Sequence, residues 1–418
     1  MNRLEKKMTS RELLDLEMKK CFHFFWEMSN HTEGSKGYGL MLDRSNRLHI
    51  SSIASVGFAL TSIVIGVKHG FITYEAGLNR AKGTLHTLLY NVPHYEGFFV
   101  HFCNMDTAER HNNCEYSTVD TALCLNGVLT VDAFFEDSTI HEMAEAIINR
   151  TDYAKFIFYK EEKAFFHMAY NDIKGGSYTR GKAGFISVWD MTAEQLMMYI
   201  QAAGQDNIDE ETARNLYLSF DRPYGEYKGI GCLYEPAGVL FVHQYSHCWF
   251  KFLDYNGCDD IDWSLNTKNA TLAQIRWCQD QTHIKTFKEG LWGVSAFDSK
   301  NGYVVHGTVP RSSKEPNSDG TIGPCAIAGS LPYTPKESTD ALLYLYQNHP
   351  SIWGQYGFYD SMNSEQDWYA STYLGIDKGE TLLMINNFLY GDVWNLYMNH
   401  PRIQKSINKL GMKAKITN

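Results

Sequence analysis

Charged residues collect in one stretch of the sequence, immediately before and at the start of a strongly apolar segment. The stretch is "HFCNMDTAERHNNCEYSTVDTALCLNGVL" at 101–129. If the apolar segment forms a buried helix, the side chains at its start converge on one mouth of the fold. A carboxyl group held there is suited to general acid or base catalysis. The candidates are His101, Arg110, Glu115 and Asp120.

Asp120 also has a purely structural interpretation. Ser117 and Asp120 have the spacing of a capping box, which satisfies the backbone N–H groups at a helix start, although Asp stands where Glu or Gln is usual. Capping would explain this carboxylate, but it leaves Glu115, Arg110 and His101 unexplained. Both interpretations remain open from sequence.

Glu194 is the second candidate, within "GFISVWDMTAEQLMMYIQAAG" at 184–204. We predict a helix that Asp190 caps and on which Glu194 faces apolar side chains one turn further on. Burial there would raise the pKa of Glu194, as a general acid needs near neutral pH, whereas the helix N-terminus would favour the ionised form. The alternative is a buried Glu194 paired with Arg180 or Arg110.

A third stretch, "VHQYSHCWFKFLDY" at 242–255, places two histidines four residues apart. That spacing is also used for metal ions, but no glutamate follows the first histidine and no further ligand is evident, so we predict no metal site. The stretch is interpreted either as a wall that binds a sugar or as histidines satisfied in the core. Its candidate residues are Tyr245, His247 and Trp249.

Two loops rich in glycine and aromatic residues complete the set. The first, at 317–337, contains a turn at Asp319, and the second, at 353–388, leads into another apolar helix. Aromatic faces stack on sugar rings and carboxylates accept hydrogen bonds from hydroxyls, so this composition suits carbohydrate. The candidates in the second loop are Asp360, Asp367, Trp368 and Asp377.

The elements that must position these residues are predominantly helical. Hydrophobic periodicity and capping residues predict helices at 10–29, 49–70, 73–91, 117–135, 138–150, 189–204, 239–256, 264–281, 336–348, 379–399 and 401–410. The connections between them are long, and "YAKFIFYKEEKAFFHMAYN" at 153–171 alternates like a β-hairpin with KEEK as its turn.

Some of the predicted helices are apolar nearly all round, whereas others are amphipathic. An alternation of inner and outer helices explains this difference. We therefore predict an all-α fold, a helical toroid with small β-hairpins and a cleft built from long loops. We found neither a fixed-period repeat nor a low-complexity linker, so residues 1–418 are predicted to form a single domain.

Composition excludes several functions. The net charge is -10 and there is no Lys/Arg block, which argues against a nucleic acid or an anionic membrane as partner. The longest apolar stretch, 50–70, is diluted by Ser, Thr and Gly and is predicted to be a buried helix. The nine Cys have no CxxC pairing and the N-terminus has no apolar signal region, so we expect a reducing, cytoplasmic location. Motifs for a serine nucleophile or nucleotide binding are absent, and no cofactor is predicted.

Seven motifs, taken in order, resemble the bacterial "putative glucoamylase" family. They include "HFCNMDTAERHNNCEYSTVDTAL", "WDMTAEQLMMYIQAAG", "QYSHCWFKF", "WGVSAFDSKNGY", "DGTIGPCAIAGSLPYTPKE" and "YLGIDKGETLLMINNFLYGDVWNLYM". That family includes endo-β-1,2-glucanases and the glucan-processing domain of cyclic β-1,2-glucan synthases. The resemblance extends from about residue 12 to residue 410.

The resemblance implies an (α/α)6 toroid and a glycoside hydrolase or transglycosylase active on β-linked glucans, with no metal or cofactor. Asp120 and Glu194 match acidic positions of inverting members of the family, so we expect Glu194 to be the general acid and Asp120 the general base. The residues expected to bind the oligosaccharide or polysaccharide substrate are His101, Arg110, Glu115, Asp190, Tyr245, His247, Trp249, Trp292, Asp319, Asp367, Trp368 and Asp377.

The chain departs from the family pattern near its last apolar helix. The usual "LMIEN" reads "LMINN", with Asn386 in place of an acid. This change keeps open a non-catalytic sugar-binding or sensor protein on the same fold, beside a transglycosylase or a phosphorolytic enzyme. The favoured hypothesis is a hydrolase of β-linked gluco-oligosaccharides or glucan, with β-1,2 linkage preferred.

Overall fold

The computed structural model describes residues 8–312 and 315–416, and helices predominate in them. This confirms the predicted all-α class. The fourteen helices of the described residues are α1 Ser10–Met28, α2 Ile53–Lys68, α3 Tyr74–Tyr90, α4 Thr118–Phe134, α5 Ser138–Arg150, α6 Leu196–Ala203, α7 Glu210–Ser219, α8 Trp263–Asp280, α9 Lys285–Lys288, α10 Pro324–Gly329, α11 Pro335–Asn348, α12 Gly375–Leu389, α13 Asp392–Asn399 and α14 Pro401–Leu410.

The strands are short and lie in the connections between helices. The hairpin predicted at 153–171 is confirmed as β6 and β7, and β7 also pairs antiparallel with β5 and β8. The remaining strands form two-stranded ribbons. The bounds are β1 Ile50–Ser52, β2 His94–Tyr95, β3 Phe98–Phe99, β4 Phe102–Asn104, β5 Tyr116–Ser117, β6 Ile157–Lys160, β7 Lys163–Asn171, β8 Gly184–Val188, β9 Tyr224–Tyr227, β10 Ile230–Leu233, β11 Tyr255–Asn256, β12 Ala296–Ser299, β13 Gly302–Val305, β14 Trp353–Gly354, β15 Gly357–Phe358, β16 Met362–Asn363, β17 Trp368–Tyr369 and β18 Lys413–Ala414.

The helices that are apolar on all sides pack against one another. α2 contacts both α4 and α12, α4 contacts α6, and α12 contacts α10, and nearly every residue of these helices is buried. The amphipathic helices α3, α5 and α7 pack on this inner set with one face and expose the other. The predicted contrast between inner and outer helices is therefore present.

The two longest inner helices, α2 and α4, approach with their backbones in contact. A Cβ atom added at Gly57 would lie 2.1 Å from the Leu123 carbonyl oxygen, and one added at Gly127 would lie 2.2 Å from the Gly57 carbonyl oxygen. Only glycine fits at both positions. The crossing fixes α4, and with it Asp120 in its first turn.

The helix predicted at 239–256 is wrong. The segment forms two short 3-10 turns, Phe241–His243 and Tyr245–Cys248. Side chains of neighbouring helices donate hydrogen bonds to the backbone carbonyl oxygens that would accept the internal bonds of an α-helix. Thr267 donates to the carbonyl oxygen of His243, Trp394 to that of His247 and Asn387 to that of Cys248.

Two other predicted helices have different limits. The segment predicted to be helical at 189–204 becomes helical only from Leu196, because Met191 forms a β-bridge with Asp221. The helix predicted at 379–399 is divided into α12 and α13 by Gly391, which has a left-handed conformation with φ 70°. The helices α7, α9 and α10 were not predicted.

Most of the predicted helix starts are confirmed. Thr9 caps α1 with a reciprocal capping box to Glu12, and Thr73 caps α3. The helix α5 begins at Ser138, as predicted, and its capping residue is Asp137. Asp137 accepts from two backbone N–H groups, so its carboxylate satisfies more of the helix start than a hydroxyl would.

Burial is continuous along the chain. The buried apolar side chains form a contiguous cluster that extends from Leu13 to Leu410. All nine cysteines are free, and eight of them are buried. Within the described ranges, we find no helix with the length and hydropathy to span a membrane.

Candidate active site

The small sheet around β7 brings the two predicted acidic segments together. β5 leads directly into α4, and β8 leads into the segment that carries Glu194. Because β5 and β8 both pair with β7, these two segments are held side by side although they are distant in sequence. Thr118 adds a cross-link, since its hydroxyl donates to the Met168 carbonyl oxygen (2.6 Å) and accepts from Trp189 Nε1 (3.1 Å).

A cleft of about 740 Å³ opens in front of this sheet. Its volume lies in the range typical of small-molecule sites. Its walls combine carboxylates, arginines and aromatic rings. The lining residues are Asp43, Arg44, Arg47, Ser52, His101, Phe102, Glu115, Ser117, Val119, Asp120, Leu123, Met168, Ala169, Tyr178, Arg180, Ile186, Ser187, Trp189, Glu194, Phe241, Tyr245, Tyr303, Leu374 and Ile376.

His101 lies between two carboxylates at one side of the cleft. Its Nδ1 is 2.7 Å from Glu115 Oε1, and its Nε2 is 3.6 Å from Asp120 Oδ1. Burial opposes a charged imidazole, but the charge of Asp120 and the hydrogen bond to Glu115 outweigh it and raise the pKa of His101 to about 9. At neutral pH the group is therefore an imidazolium between two carboxylates.

Asp120 combines both interpretations that its sequence allowed. The Asp120 N–H donates to Ser117 Oγ at 3.3 Å, so Ser117 caps α4. The Ser117 hydroxyl in turn lies 2.5 Å from Asp120 Oδ2 and donates to it. The second carboxylate oxygen faces His101, and the side chain lines the cleft.

Glu194 lies two residues before the start of α6, on a bend and not on the helix itself. Gln195 occupies the N-cap position without a side-chain cap bond, so the predicted capping by Asp190 is wrong. Ser246 fixes the bend, because its Oγ donates to the Glu194 carbonyl oxygen (2.9 Å) and accepts from the Met197 N–H (3.1 Å). The Glu194 side chain lines the cleft.

The competition between burial and backbone dipoles at Glu194 is resolved in favour of burial. Burial raises the pKa of Glu194 to about 7, and the negative charges of Asp120 and Glu235 add to this effect, while the residue's own backbone N–H opposes it. Among the described residues, Glu194 forms no ion pair with Arg180 or Arg110, so the alternative of a paired carboxylate does not hold. A carboxyl group with this pKa is partly protonated at neutral pH.

Glu235 is an acid near the cleft that sequence reasoning missed. It is buried, and its oxygens accept hydrogen bonds from the Ala237 N–H (2.7 Å) and the Val239 N–H (2.6 Å). Burial raises the pKa of Glu235 despite these bonds. The negative charge of Glu235 adds to the raised pKa of Glu194. No sequence motif indicates this effect.

A second group of acids lies buried behind the cleft wall formed by Tyr245 and Tyr303. Burial raises the pKa of Asp377 to about 7 and raises that of Asp360 well above its usual range, and the two carboxyls interact directly. The pKa of Glu380 is also raised by burial. Burial raises the pKa of Tyr245, which lines the cleft, and the charges of Asp377 and Glu380 add to this effect.

Two of these acids and the neighbouring Cys325 have side chains of the types that bind metal ions. Candidate ligand atoms of Cys325, Asp377 and Glu380 lie within 4.8 Å of one another. Burial raises the pKa of all three groups, which favours their protonated forms. Because metal ions bind the deprotonated forms, this chemistry does not fit a stable metal site.

Five of the predicted residues line the cleft: His101, Glu115, Asp120, Glu194 and Tyr245. Arg110 lies behind it and braces two loops. It donates to the Cys114 carbonyl oxygen (2.6 Å), Asp172 Oδ1 (2.6 Å) and Asn171 Oδ1 (2.7 Å). Asp190 is exposed outside the cleft.

The histidine and tryptophan of the third motif belong to the core. Burial lowers the pKa of His247 to about 3, so it is neutral, and its ring nitrogens contact Tyr333 Oη (2.5 Å) and Thr267 Oγ1 (3.2 Å). Trp249 is fully buried and donates to Thr61 Oγ1 at 3.0 Å. These contacts correspond to the core interpretation that the sequence left open.

The remaining predicted residues lie outside the cleft for different reasons. Trp292 is buried near a separate depression. Asp319 accepts from the Thr321 N–H (2.9 Å) and hydroxyl (2.6 Å) and so closes a turn. Asp367 is exposed in the turn between β16 and β17, and Trp368 belongs to β17.

Asn386, where the family pattern has an acid, does not touch the cleft either. It donates to Asp392 Oδ2 (3.0 Å) and contacts His69 Nε2 (3.2 Å), and its side-chain oxygen accepts from the Val393 N–H. None of these partners lines the cleft. The substitution therefore affects the link between α12 and α13, and it gives no support to a non-catalytic protein.

Several lining residues carry no motif that would reveal them. Arg47, Tyr178 and Tyr303 come from three separate loops or ribbons. The signal available from sequence was the length of the connections, because long loops commonly carry function.

Comparison with known proteins identifies the family of the chain. A family model described as putative glucoamylase matches residues 187–401, which is more than half of the chain. The chain therefore belongs to that family, and the resemblance predicted from its motifs is confirmed.

Individual relatives extend the similarity over nearly the whole chain. An exo beta-1,2-glucooligosaccharide sophorohydrolase (non-reducing end) of Parabacteroides distasonis is 26% identical over 96% of this chain. A putative glucoamylase from Bacteroides uniformis is 26% identical with a TM-score of 0.81, covering 99% of this chain and all of the other. An endo-beta-1,2-glucanase from Chitinophaga pinensis, in complex with sophorotriose and glucose, is 23% identical with a TM-score of 0.82, covering 97% of this chain and 99% of the other.

The chain spans 58% of the length of the sophorohydrolase that it matches. The identity with the Chitinophaga enzyme is low, so that likeness bears on the fold alone. For these two reasons, the activities of the relatives are not assigned to this chain, and its substrate is a matter for a proposal.

Proposed function

We propose that the protein is a glycoside hydrolase that cleaves β-1,2-linked gluco-oligosaccharides, with Glu194 as general acid and Asp120 as general base. The observation that carries the proposal is the raised pKa of Glu194, about 7, in the same cleft as the carboxylate of Asp120. A carboxyl group that is partly protonated at neutral pH, in one cleft with a second carboxyl group, is what glycoside hydrolysis by a general acid and a general base requires.

In this mechanism Glu194 donates its proton to the glycosidic oxygen as the bond to the anomeric carbon breaks. Asp120 accepts a proton from the water that attacks the opposite face of the sugar, which inverts the configuration. An inverting pair is separated by about 6.5–9.5 Å, which leaves room for that water. His101 orients Asp120, and Glu115 holds the other ring nitrogen of His101.

The linkage rests on the relatives. The Parabacteroides relative is an exo-acting enzyme on beta-1,2-glucooligosaccharides. In the cleft of this chain, Tyr245, Tyr303, Tyr178 and Phe102 supply aromatic surface on which glucose rings can stack. A cleft of about 740 Å³ accommodates a short oligosaccharide.

The proposal includes the architecture that positions these groups. The inner helices α10, α12, α2, α4 and α6 contact one another in succession, and the 3-10 turns at 241–248 lie next to α12. We propose that these six elements form the inner ring of an (α/α)6 toroid, surrounded by the amphipathic helices. The contiguous apolar core supports residues 1–418 as one domain.

The test is hydrolysis of a panel of β-1,2-, β-1,3- and β-1,4-linked gluco-oligosaccharides by the wild type, Glu194→Gln and Asp120→Asn. We expect hydrolysis of the β-1,2 series, with kcat reduced at least about 1000-fold in both variants, because each loses a proton-transfer group. The matched control is Glu211→Gln, an exposed acid on α7, which retains wild-type turnover. Wild-type turnover in either active-site variant would disprove the assigned role, and exclusive cleavage of another linkage would disprove the substrate.

A further inference from the structure

The arginine side chains of the protein differ in whether they have a hydrogen-bond or ion-pair partner. Within the part of the chain that the structure describes, ten arginines are bonded to carboxylates, carbonyl oxygens or amide oxygens. The other two, Arg47 and Arg180, have no side-chain hydrogen bond or ion pair with any described residue. Both line the cleft.

Arg180 belongs to a loop that is anchored by its neighbour Thr179. The neighbouring Thr179 is buried, and its hydroxyl contacts the carbonyl oxygens of Lys174 (2.8 Å) and Gly176 (2.9 Å). On either side of this anchor, Tyr178 (φ 60°) and Arg180 (φ 49°) adopt left-handed conformations. Residues other than glycine rarely adopt this conformation, and such strain clusters at binding sites.

Arg47 and Arg180 differ from the other cations of the cleft in having no carboxylate partner. Arg44 is paired with Asp43 (3.0 Å) and Asp298 (2.9 Å), and the His101 imidazolium lies between two carboxylates. Arg47 and Arg180 have no such partner, although the chain as a whole has a net charge of -10. Arg44 and His101 each face two carboxylates, so the cleft as a whole is about neutral. A guanidinium group without a carboxylate partner in such a cleft is free to bind an anionic group of a ligand.

We propose that the cleft accepts gluco-oligosaccharides that carry an anionic substituent, a phosphate monoester or the half-ester of a dicarboxylic acid, and that Arg47 and Arg180 bind this group. The inference rests on the proposed function and specifies its substrate class. The planar guanidinium group donates two parallel hydrogen bonds to a carboxylate or phosphate, which gives both attraction and orientation. The anionic group lies away from Glu194 and Asp120, because their negative charge would repel it.

The test uses three β-1,2-linked oligosaccharides of the same length: the neutral sugar, its monosuccinate ester and its monophosphate. We expect kcat/KM for at least one of the esters to exceed that for the neutral sugar by about tenfold at low salt, and this preference to shrink as ionic strength rises. Arg47→Gln and Arg180→Gln should each reduce the ratio several-fold. Arg276→Gln, on the outer helix α8, is the matched control and leaves the ratio unchanged. Comparing the succinate with the phosphate identifies which anion is preferred.

Equal kcat/KM values for the neutral and both charged sugars would overturn the inference. So would a preference that neither arginine variant reduces, since another group would then bind the anion. If no sugar of the series is hydrolysed, the proposed function fails, and calorimetry with Glu194→Gln then tests the inference separately. Tighter binding of an ester than of the neutral sugar, lost in the arginine variants, supports it, and equal binding contradicts it.

Discussion

Glu194 is a carboxyl group whose surroundings, more than its chemical type, determine its role. Burial and the charges of Asp120 and Glu235 raise its pKa to about 7, whereas the Ser117 hydroxyl and the His101 imidazolium stabilise negative charge on Asp120. Two carboxyl groups in one cleft are thereby suited to opposite tasks, proton donation and proton acceptance.

The raised pKa predicts that Glu194 lowers the stability of the fold at alkaline pH. A carboxyl whose folded-state pKa of about 7 exceeds its unfolded value of 4.5 favours folding while it is protonated, and this contribution is lost as the pH rises through 7. Glu194→Gln should match the wild type in unfolding free energy near pH 5 and exceed it by about 2 kcal/mol near pH 8.5, after allowance for solvent screening.

Chemical denaturation at the two pH values measures this difference. Glu211→Gln, which changes an exposed acid in the same way, should show no such dependence on pH. If the unfolding free energies of Glu194→Gln and the wild type change in parallel between pH 5 and pH 8.5, the protonated state assigned to Glu194 is wrong.

At the scale of secondary structure elements, much could be predicted from local sequence. Apolar periodicity and capping residues identified most of the helices, and the alternation around KEEK identified the β6–β7 hairpin. The 3-10 turns at 241–248 could not be predicted, because the bonds that prevent an α-helix come from Thr267, Asn387 and Trp394, which are distant in sequence. The pairing of β5 and β8 with β7 is likewise a long-range feature.

The site residues also divide into those that local sequence identified and those whose surroundings depend on long-range contacts. His101, Glu115, Asp120 and Glu194 were predicted from charged residues placed before apolar segments and from the family motifs, and they line the cleft. His247 and Trp249 were candidates because of their residue types, yet their polar atoms are satisfied inside the core. Sequence alone does not show whether a histidine's partners are other side chains or a ligand.

The crossing of α2 and α4 gives a prediction at this scale. Gly57→Ala should lower the unfolding free energy by about 2 kcal/mol, because its methyl group would overlap the Leu123 carbonyl oxygen and the helices would have to move apart. Activity should also fall, since α4 carries Asp120. Gly175→Ala, where an added methyl group meets no atom within 4 Å, is the control for stability and should change the unfolding free energy little. A Gly57→Ala protein as stable as the wild type would contradict this close packing.

For the whole molecule, the inner helices act as a rigid support and the long connections supply the chemistry. The lining residues come from segments that extend from Asp43 to Ile376, so the cleft exists only when nearly the complete chain is folded. This organisation explains why families with this architecture can vary their substrates through the loops. Arg47 and Arg180 lie in such connections and belong to no motif, and the sequence indicated Arg180 only as a possible partner of Glu194.

The pH dependence of kcat/KM on a β-1,2-linked gluco-oligosaccharide tests the central claim most directly. Protonated Glu194 is the proposed acid, so kcat/KM should fall about tenfold per pH unit above an apparent pKa of about 7. His101 keeps its charge until about pH 9 and therefore does not set this limb. A profile that stays level from pH 6 to pH 9 would show that no group with the pKa of Glu194 supplies the proton.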